Sequence, residues 1–138
     1  MATDTIDCNN ADSGMRSRIK QYRQCSICRQ LCNRPNTNYC SRCFEAVIPP
    51  GGKYRHLFNS SFYTLFTISV VNNGASDVTG HLEISPNGVN FMSDWGSPVT
   101  ISPNELEAFF TGIFMQYTAL VVTGAAGTRL FICIQGQY

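Results

Sequence analysis

Seven cysteines are the residues of this 138-residue chain with the clearest capacity for chemistry. Four of them form two C-x2-C pairs, Cys25 with Cys28 and Cys40 with Cys43, separated by eleven residues. Two cysteines three positions apart can turn both sulfurs toward one ion, and two such pairs complete a tetrahedron around Zn²⁺. The spacing therefore predicts one structural zinc ion held by Cys25, Cys28, Cys40 and Cys43.

A disulfide cluster is the alternative interpretation of the same cysteines. Cys32 adds a thiol four residues after Cys28, and an oxidising compartment would favour bridges whose pairing the spacing does not reveal. Redox catalysis by one C-x2-C pair is disfavoured because no βαβ pattern surrounds it. Covalent haem attachment is excluded because Arg29 and Phe44 follow the pairs, where that attachment requires histidine.

The last two cysteines, Cys8 and Cys133, lie near opposite ends of the chain. The total of seven is odd, so at least one cysteine is unpaired, metal-bound or bonded to another chain. Cys8 and Cys133 are either two plain thiols or the two halves of a disulfide between subunits. The second interpretation would join the leader of one copy to the β-domain of the next.

Residues suited to catalysis are few, and we expect no enzymatic activity. His56 and His81 are the only two histidines, and no serine sits in a nucleophile-elbow motif. One aromatic and amide group has the composition of a sugar-stacking platform: Trp95, Tyr117, Asn87 and Asn90. A carbohydrate- or surface-binding module is therefore one alternative function.

Charge is scarce and unevenly distributed. Charged residues make up 14% of the chain, against a usual share of about 25%. Residues 1–55 carry nine positive and four negative charges, a balance of +5, whereas residues 56–138 carry one positive and five negative, a balance of −4. Such asymmetry suits a basic arm that binds nucleic acid, or one that docks on the acidic part of another copy.

The composition changes at Pro49–Gly52, where two prolines and two glycines can continue neither a helix nor a central strand. The predicted organisation is a polar basic leader at 1–24, a four-cysteine zinc-knuckle module at 25–48, a Pro/Gly linker at 49–55 and a β-domain at 56–138.

The β-domain shows the period-2 alternation of half-buried strands. Seven or so short strands with turn signals every 8–12 residues, and no helical periodicity, predict an all-β sandwich or jelly roll. Between residues 113 and 122 the alternation predicts one face of Met115, Tyr117, Ala119 and Val121. The predicted core members are Phe66, Ile68, Leu82, Ile84, Phe91, Leu130 and Ile132.

The chain has no run of about 18 apolar residues, so we expect no membrane span. Its N-terminus has neither the basic nor the apolar region of a secretory signal, so synthesis is expected to begin in a cytoplasm.

The stretches Gly80–Phe91 and Pro98–Glu105 contain a strand-turn-strand pattern, L-x-I-S-P-N-G-V-N-F followed by P-V-T-I-S-P. This pattern resembles a family of small β-domains of unassigned function from spore-forming Firmicutes. In architecture the chain is similar to the jelly-roll subunits of endospore appendages, which carry a cysteine-bearing N-terminal connector and polymerise. Those connectors are short and lack two C-x2-C knuckles, which is a difference from this chain.

The leading hypothesis is a structural, self-assembling protein, the subunit of an extracellular or spore-surface filament, with residues 1–55 as the connector between copies. A spore-surface protein made in a mother cell would need no signal peptide. The main alternative is a cytoplasmic zinc-ribbon protein that binds nucleic acid through its arginine and lysine residues.

Overall fold

A computed structural model of the chain describes residues 38–94 and 98–137. It contains nine strands and one 3₁₀ turn, Ser60–Phe62, within those residues. The strands are β1 Tyr39–Val47, β2 Lys53–Asn59, β3 Leu65–Asn72, β4 Val78–Ser85, β5 Met92–Ser93, β6 Val99–Ile101, β7 Leu106–Phe109, β8 Tyr117–Thr123 and β9 Arg129–Gln137.

The strands form two antiparallel sheets. Sheet A has the order β1-β9-β3-β7, and sheet B has the order β2-β8-β4-β5 with β6 also paired to β4. Consecutive strands repeatedly fall in opposite sheets, so the chain crosses from one layer to the other as it does in a jelly roll. The prediction of an all-β sandwich is confirmed.

The core lies between the sheets and is made by the inward side of each strand. On β3 the buried residues Phe66, Ile68 and Val70 alternate with more exposed ones, which is the period of a strand with one buried face. The predicted core members Leu82, Ile84, Leu130 and Ile132 are also buried. Phe91 is only half-buried and lies outside the core.

Strand β8 departs from the alternation expected for it. Leu120 and Val122 belong to the core, whereas Ala119 and Val121, members of the predicted face, lie on the opposite side of the strand, although both are fully buried. The strand is internal to sheet B, and it is covered on both sides. A strand buried on both sides gives no alternation in hydrophobicity that would identify its inward face.

The sandwich begins before residue 56, the predicted start of the β-domain. Strand β1 spans Tyr39–Val47 and pairs along its whole length with β9. Residues 39–48 therefore belong to the sandwich and not to a separate 25–48 module. The part of that module before residue 38, together with the 1–24 leader, lies outside the described residues.

The Pro49–Gly52 segment is a turn that carries the chain from sheet A to sheet B. Gly51 and Gly52 both have positive φ, at 107° and 79°, a region that glycine enters without steric cost. The turn is held by hydrogen bonds from Ile48 N to Thr128 O at 2.9 Å and from Gly124 N to Gly52 O at 3.0 Å. The predicted 49–55 linker is thus an ordered turn followed by the first residues of β2.

A glycine on β9 is required by the packing of one aromatic ring. A Cβ added to Gly136 would collide with the ring of Tyr63 and would lie 2.8 Å from the carbonyl oxygen of Leu65. We expect Gly136→Ala to lower the free energy of unfolding by about 1–3 kcal/mol, the usual cost of overpacking. Urea unfolding measures the loss, and Gln135→Ala, an exposed neighbour, is the control. Equal stability of the two variants would contradict this packing.

Candidate functional site

The outer face of sheet A, the side turned away from the core, carries exposed apolar side chains. Residues on β3 that alternate with the buried Phe66, Ile68 and Val70 point to this side. The same alternation on the other strands gives the sheet A outer face six large apolar members: Tyr39, Val47, Leu65, Val71, Leu106 and Phe131. Leu65 is 63% exposed and Leu106 is 62% exposed, so both remain largely open to solvent.

Three of these side chains form a row across the sheet. Phe131 on β9 lies opposite Val71 on β3, and Val71 lies opposite Leu106 on β7. Directly opposed residues have Cβ atoms about 4.5–5.5 Å apart, so the row is a continuous apolar strip. On β1 the next residue in the row is Glu45. The strip is therefore bordered by one carboxylate at the β1 edge.

The outer face of sheet B is different, because its long side chains bond to one another. Arg55 Nε lies 3.2 Å from Glu83 Oε1, and His81 Nε2 lies 3.8 Å from Glu83 Oε2. The Arg55 guanidinium also stacks 4.4 Å above the Phe91 ring. This network lies over the small side chain of Ala119, which pairs with Glu83 in the sheet. Sheet B thus presents polar, internally paired side chains where sheet A presents apolar ones.

A disulfide lies on the sheet A outer face. Cys43 on β1 and Cys133 on β9 are directly opposed in the strand register and are bonded, with a Cα–Cα distance of 4.1 Å. Cys133 also lies opposite Ser69 of β3. The disulfide row is adjacent to the apolar strip, since Cys133 and Phe131 are two residues apart on one strand. The bond joins strands 90 residues apart in sequence.

Three of the predicted site cysteines, Cys40, Cys43 and Cys133, lie within the described residues. Cys40 is disulfide-bonded and fully buried, and it lies opposite Gly136 on the inward side of β1. Cys8, Cys25, Cys28 and Cys32 lie outside the described residues. In residues 38–94 and 98–137, no group of three or more His, Cys, Asp or Glu side chains is placed to hold a metal ion. Zinc at the four paired cysteines stays a prediction, and Cys43 can serve as a ligand only when its disulfide is open.

A second polar region lies at the open edge of the sandwich, where the edge strands β1 and β2 face each other. Arg42 and Phe44 of β1 pair with the buried Ile134 and Ile132, so they point to the core side. Tyr54, His56 and Phe58 of β2 also point inward, because their partners include the core residues Leu120 and Val122. None of these five residues is among the site residues that the sequence predicts.

Aromatic contacts join the two sides of this edge. The Phe44 and His56 rings have centroids 4.8 Å apart, and the Arg42 guanidinium carbon lies 5.7 Å from the Phe44 ring centroid. Farther along β2, the Phe58 ring lies 6.2 Å from His56 and 5.5 Å from Phe66. The arginine and the histidine are thus held against one shared ring.

Burial and the neighbouring cation change the acidity of this region. Burial lowers the pKa of His56 below its ordinary value of 6.5, and the positive charge of Arg42 lowers it further. Burial raises the pKa of Tyr54, an effect that Arg42 partly opposes. His56 is therefore neutral near pH 7.

The lowered pKa of His56 predicts a loss of stability in mild acid. The unfolded chain takes up a proton on this histidine near pH 6.5, before the folded chain does, so the contribution to stability is complete above that pH. It is lost as the pH falls from 6.5 through the folded pKa. We expect the thermal midpoint to decrease over this range, and His56→Gln to make the decrease shallower. His81→Gln, which keeps His56, is the control; an unchanged pH profile for His56→Gln would contradict the assignment.

The amides proposed for a sugar platform are used within a turn. Asn87 Oδ1 accepts hydrogen bonds from the backbone N–H groups of Val89 and Asn90, both at 2.9 Å, and Asn87 Nδ2 donates to Asn90 Oδ1 at 2.9 Å. Trp95 lies outside the described residues. Near this turn a shallow cavity of about 430 Å³ is lined by Ser61, Pro86, Phe114, Met115 and Gln116. The turn amides are thus occupied in holding the β4–β5 loop.

Among the residues that the structure describes, no helix is long and apolar enough to cross a membrane.

The chain belongs to the DUF6385 family, a domain of unknown function, whose model matches residues 59–138. The prediction that the β-domain belongs to a family without an assigned function is confirmed. The link to spore-forming Firmicutes stays a prediction. No curated protein matches the sequence.

Comparison with solved structures finds several that are similar to this chain. The PBSX exported protein XepA has a TM-score of 0.51 and 12% identity, over 70% of this chain and 36% of XepA. This chain thus spans about a third of that protein, and at this identity the likeness shows the fold alone. PirA has a TM-score of 0.46 and 11% identity, over 71% of this chain and 93% of PirA. A structure described as "Bacillus endospore appendages form a novel family of disulfide-linked pili" has a TM-score of 0.42 and 9% identity, over 72% of this chain and 86% of that one.

Proposed function

We propose that the chain is a structural protein that assembles with other copies of itself, as a subunit of an extracellular or spore-surface filament. One observation carries the proposal: the sheet A outer face exposes a continuous apolar strip, whereas the sheet B outer face carries the Arg55–Glu83 ion pair. Contiguous exposed apolar surface marks sites where a protein meets another protein or a ligand. A second copy of the chain is the partner that we assign to this face.

The low charge of the sandwich supports association of like copies. Charged residues are 14% of the chain, so few solvated side chains oppose the approach of another copy. With the sandwich beginning at β1, residues 1–37 carry six positive and three negative charges, a balance of +3. Residues 38–138 carry four positive and six negative, a balance of −2. The two parts still have opposite net charges, so the leader of one copy is attracted to the sandwich of another. The attraction is weaker than for a division at residue 55, where the balances are +5 and −4.

The edges of sheet A offer a second means of contact. Strands β1 and β7 are its terminal strands, so each has one side whose backbone N–H and C=O groups have no neighbouring strand in the described sheet. Such edges accept an added strand from another chain. If the N-terminal part of one copy docks on the sandwich of the next, the contact joins different surfaces, so it is heterologous and propagates into a ring or a filament.

We also propose a covalent link between copies through Cys133. In the predicted Cys8–Cys133 bond, Cys8 of one copy must reach Cys133 of the next. The position of Cys133 on the sheet A outer face supports this bond, but the residue is only 9% exposed, so neighbouring side chains must shift to admit the attacking thiolate. The link forms by thiol–disulfide exchange. The Cys8 thiolate attacks the sulfur of Cys133, the Cys43–Cys133 bond breaks, and Cys43 leaves as a thiolate. One disulfide is consumed and one is formed, so no external oxidant is needed.

The Cys43–Cys133 bond also favours a location outside the reducing cytoplasm, because disulfides persist in oxidising surroundings.

Charge placed in the apolar strip tests the proposal. We expect the wild-type chain to form large particles and the double variant Leu106→Lys and Phe131→Lys to form none, because two cations would have to be buried or opposed in every contact. Sedimentation velocity over a concentration series measures the change. Leu57→Lys, an exposed apolar position on the sheet B outer face, is the matched control and should assemble like wild type. If Leu57→Lys lost assembly as fully as the double variant, the contact between copies would not be specific to the apolar strip.

A further inference from the structure

The two arginines that stack on aromatic rings in the described sandwich differ in what neutralises their charge. Arg55 lies over Phe91 and also pairs with the Glu83 carboxylate at 3.2 Å. Arg42 lies over Phe44, but among the described residues no carboxylate lies within 4.0 Å of its guanidinium. Arginine keeps its charge at any ordinary pH. The Arg42 cation is therefore held at the sandwich edge without a counter-charge from the described chain.

Two nitrogen atoms at this edge are buried and have no hydrogen-bond partner among the residues that the structure describes. They are Arg42 Nε on β1 and His56 Nε2 on β2. A buried polar atom that bonds to nothing costs about 1–3 kcal/mol, and a folded sandwich contains few of them. That two occur on facing edge strands, against the same Phe44 ring, indicates a shared missing acceptor.

Both nitrogen atoms can donate a hydrogen bond. The Nε–H of an arginine always donates, and Nε2 of histidine donates in one neutral tautomer and in the protonated form. The Tyr54 side chain faces the same edge from β2, where the charge of Arg42 reaches it. The titratable and charged groups that face His56 at this edge are thus Arg42 from β1 and Tyr54 from its own strand. The described edge presents donors and a positive charge.

We propose that Arg42 and His56 form a binding site for a carboxylate at the open edge between β1 and β2. A carboxylate is planar and accepts two parallel hydrogen bonds from an arginine, from Nε–H and one Nη–H. Its approach between the edge strands gives the buried Nε–H its acceptor and neutralises the Arg42 charge. The second oxygen, or a second lone pair of the first, accepts from His56. The aromatic rings of Phe44 and Phe58 form apolar walls that favour a carboxylate attached to an apolar group.

The site lies at the edge of the core and not on the sheet A outer face, so it does not depend on the apolar strip. Either of two molecules can supply the carboxylate. One is a small free acid, and the other is a second copy of the chain, through an Asp or Glu side chain. Binding also raises the pKa of His56, because a nearby negative charge favours the protonated ring. Affinity should therefore increase as the pH falls below 6.5.

Acetate is the probe that tests the site on the intact chain. Sodium acetate is compared with sodium chloride at equal ionic strength, and the thermal midpoint is measured for wild type, Arg42→Gln and Arg55→Gln. An acetate concentration ten times the dissociation constant should raise the thermal midpoint of the wild-type chain by about 5 °C. Arg55→Gln, which removes the other ring-stacked arginine, should retain the rise, and Arg42→Gln should lose it. Because acetate stabilises proteins slightly by exclusion from their surface, the difference between the two variants is the measured quantity.

A titration of wild type followed by NMR keeps the test valid if Arg42→Gln folds poorly. The Cε1–H signal of His56 should shift with acetate and saturate, while that of His81 should not. Saturation in a monomer assigns the site to a free acid, and acetate that disperses an Arg42-dependent oligomer assigns it to a carboxylate of a second copy. Both outcomes support the site. No saturable shift of His56, or an equal midpoint rise in Arg42→Gln, overturns it.

Discussion

Replacing Phe66 with alanine is expected to lower the free energy of unfolding by about 3–5 kcal/mol, the cost of deleting a buried phenylalanine. Phe66 lies on β3 in sheet A and is 5% exposed. Its ring packs against Phe58 of sheet B with centroids 5.5 Å apart and against Tyr63 at 5.6 Å. The side chain thus connects the two layers, and its removal leaves a cavity that neither sheet can fill without moving as a unit.

Urea unfolding of the oxidised chain measures this loss. The matched control is Leu65→Ala, which changes the adjacent residue of the same strand on the exposed side and should change stability by less than about 1 kcal/mol. A similar loss in both variants would show that β3 does not have the orientation described here.

Opening the Cys43–Cys133 disulfide is expected to cost about 2–5 kcal/mol. The bond closes a loop whose ends are 90 residues apart, so its loss greatly increases the conformational freedom of the unfolded chain. The bond also joins β1 to β9, and β9 is the only neighbour of β1 among the described strands. Without it, we expect β1 to be the first strand to exchange its amide hydrogens.

The double variant Cys43→Ser and Cys133→Ser isolates this bond, because a reductant would also open the disulfide of Cys40. Unfolding by urea gives the change in stability, and mass spectrometry of a digest of oxidised wild type should find one peptide pair joined through Cys43 and Cys133. Recovery of both residues as free thiols from oxidised protein, with no loss of stability in the variant, would contradict the assignment.

The sequence predicts half-buried strands well and other strands poorly. On β3 one side packs on the core and the other meets solvent, so Phe66, Ile68 and Val70 alternate visibly with Thr67 and Ser69. β8 lies inside sheet B and is covered on both sides, so its inward face has no distinct signature. In such a strand, only the identity of the neighbouring strands determines which side faces the core.

Strand β1 was missed for a different reason. Its inward side includes Arg42 and Phe44 at the open edge of the sandwich, where a long polar side chain is tolerated because part of it reaches solvent. The cysteines of this segment suggested a metal site by their local spacing. The pairing of Cys43 with Cys133 depends on strand register between distant segments, which local spacing does not encode. The same limitation concealed the edge cluster, because Arg42 and His56 meet only after β1 and β2 are placed in opposite sheets.

The turn at Pro49–Gly52 illustrates an ambiguity of composition. Two prolines and two glycines end a strand in any setting, and the same residues are common in flexible linkers. The structure distinguishes the two by the hydrogen bonds from Ile48 and Gly124 that hold this segment against the β8–β9 loop. The local sequence does not predict hydrogen bonds to a loop that is distant along the chain.

Electron microscopy of the purified, oxidised full-length chain, with no ligand added, tests the central claim most directly. We expect rings or filaments built from one repeating contact. We expect fewer particles at 1 M salt, because the Debye length falls to about 3 Å and charge attraction between copies is screened. A chain that stays monomeric at high concentration, and that instead binds DNA or RNA with steep salt dependence, would contradict self-assembly and favour the nucleic-acid alternative.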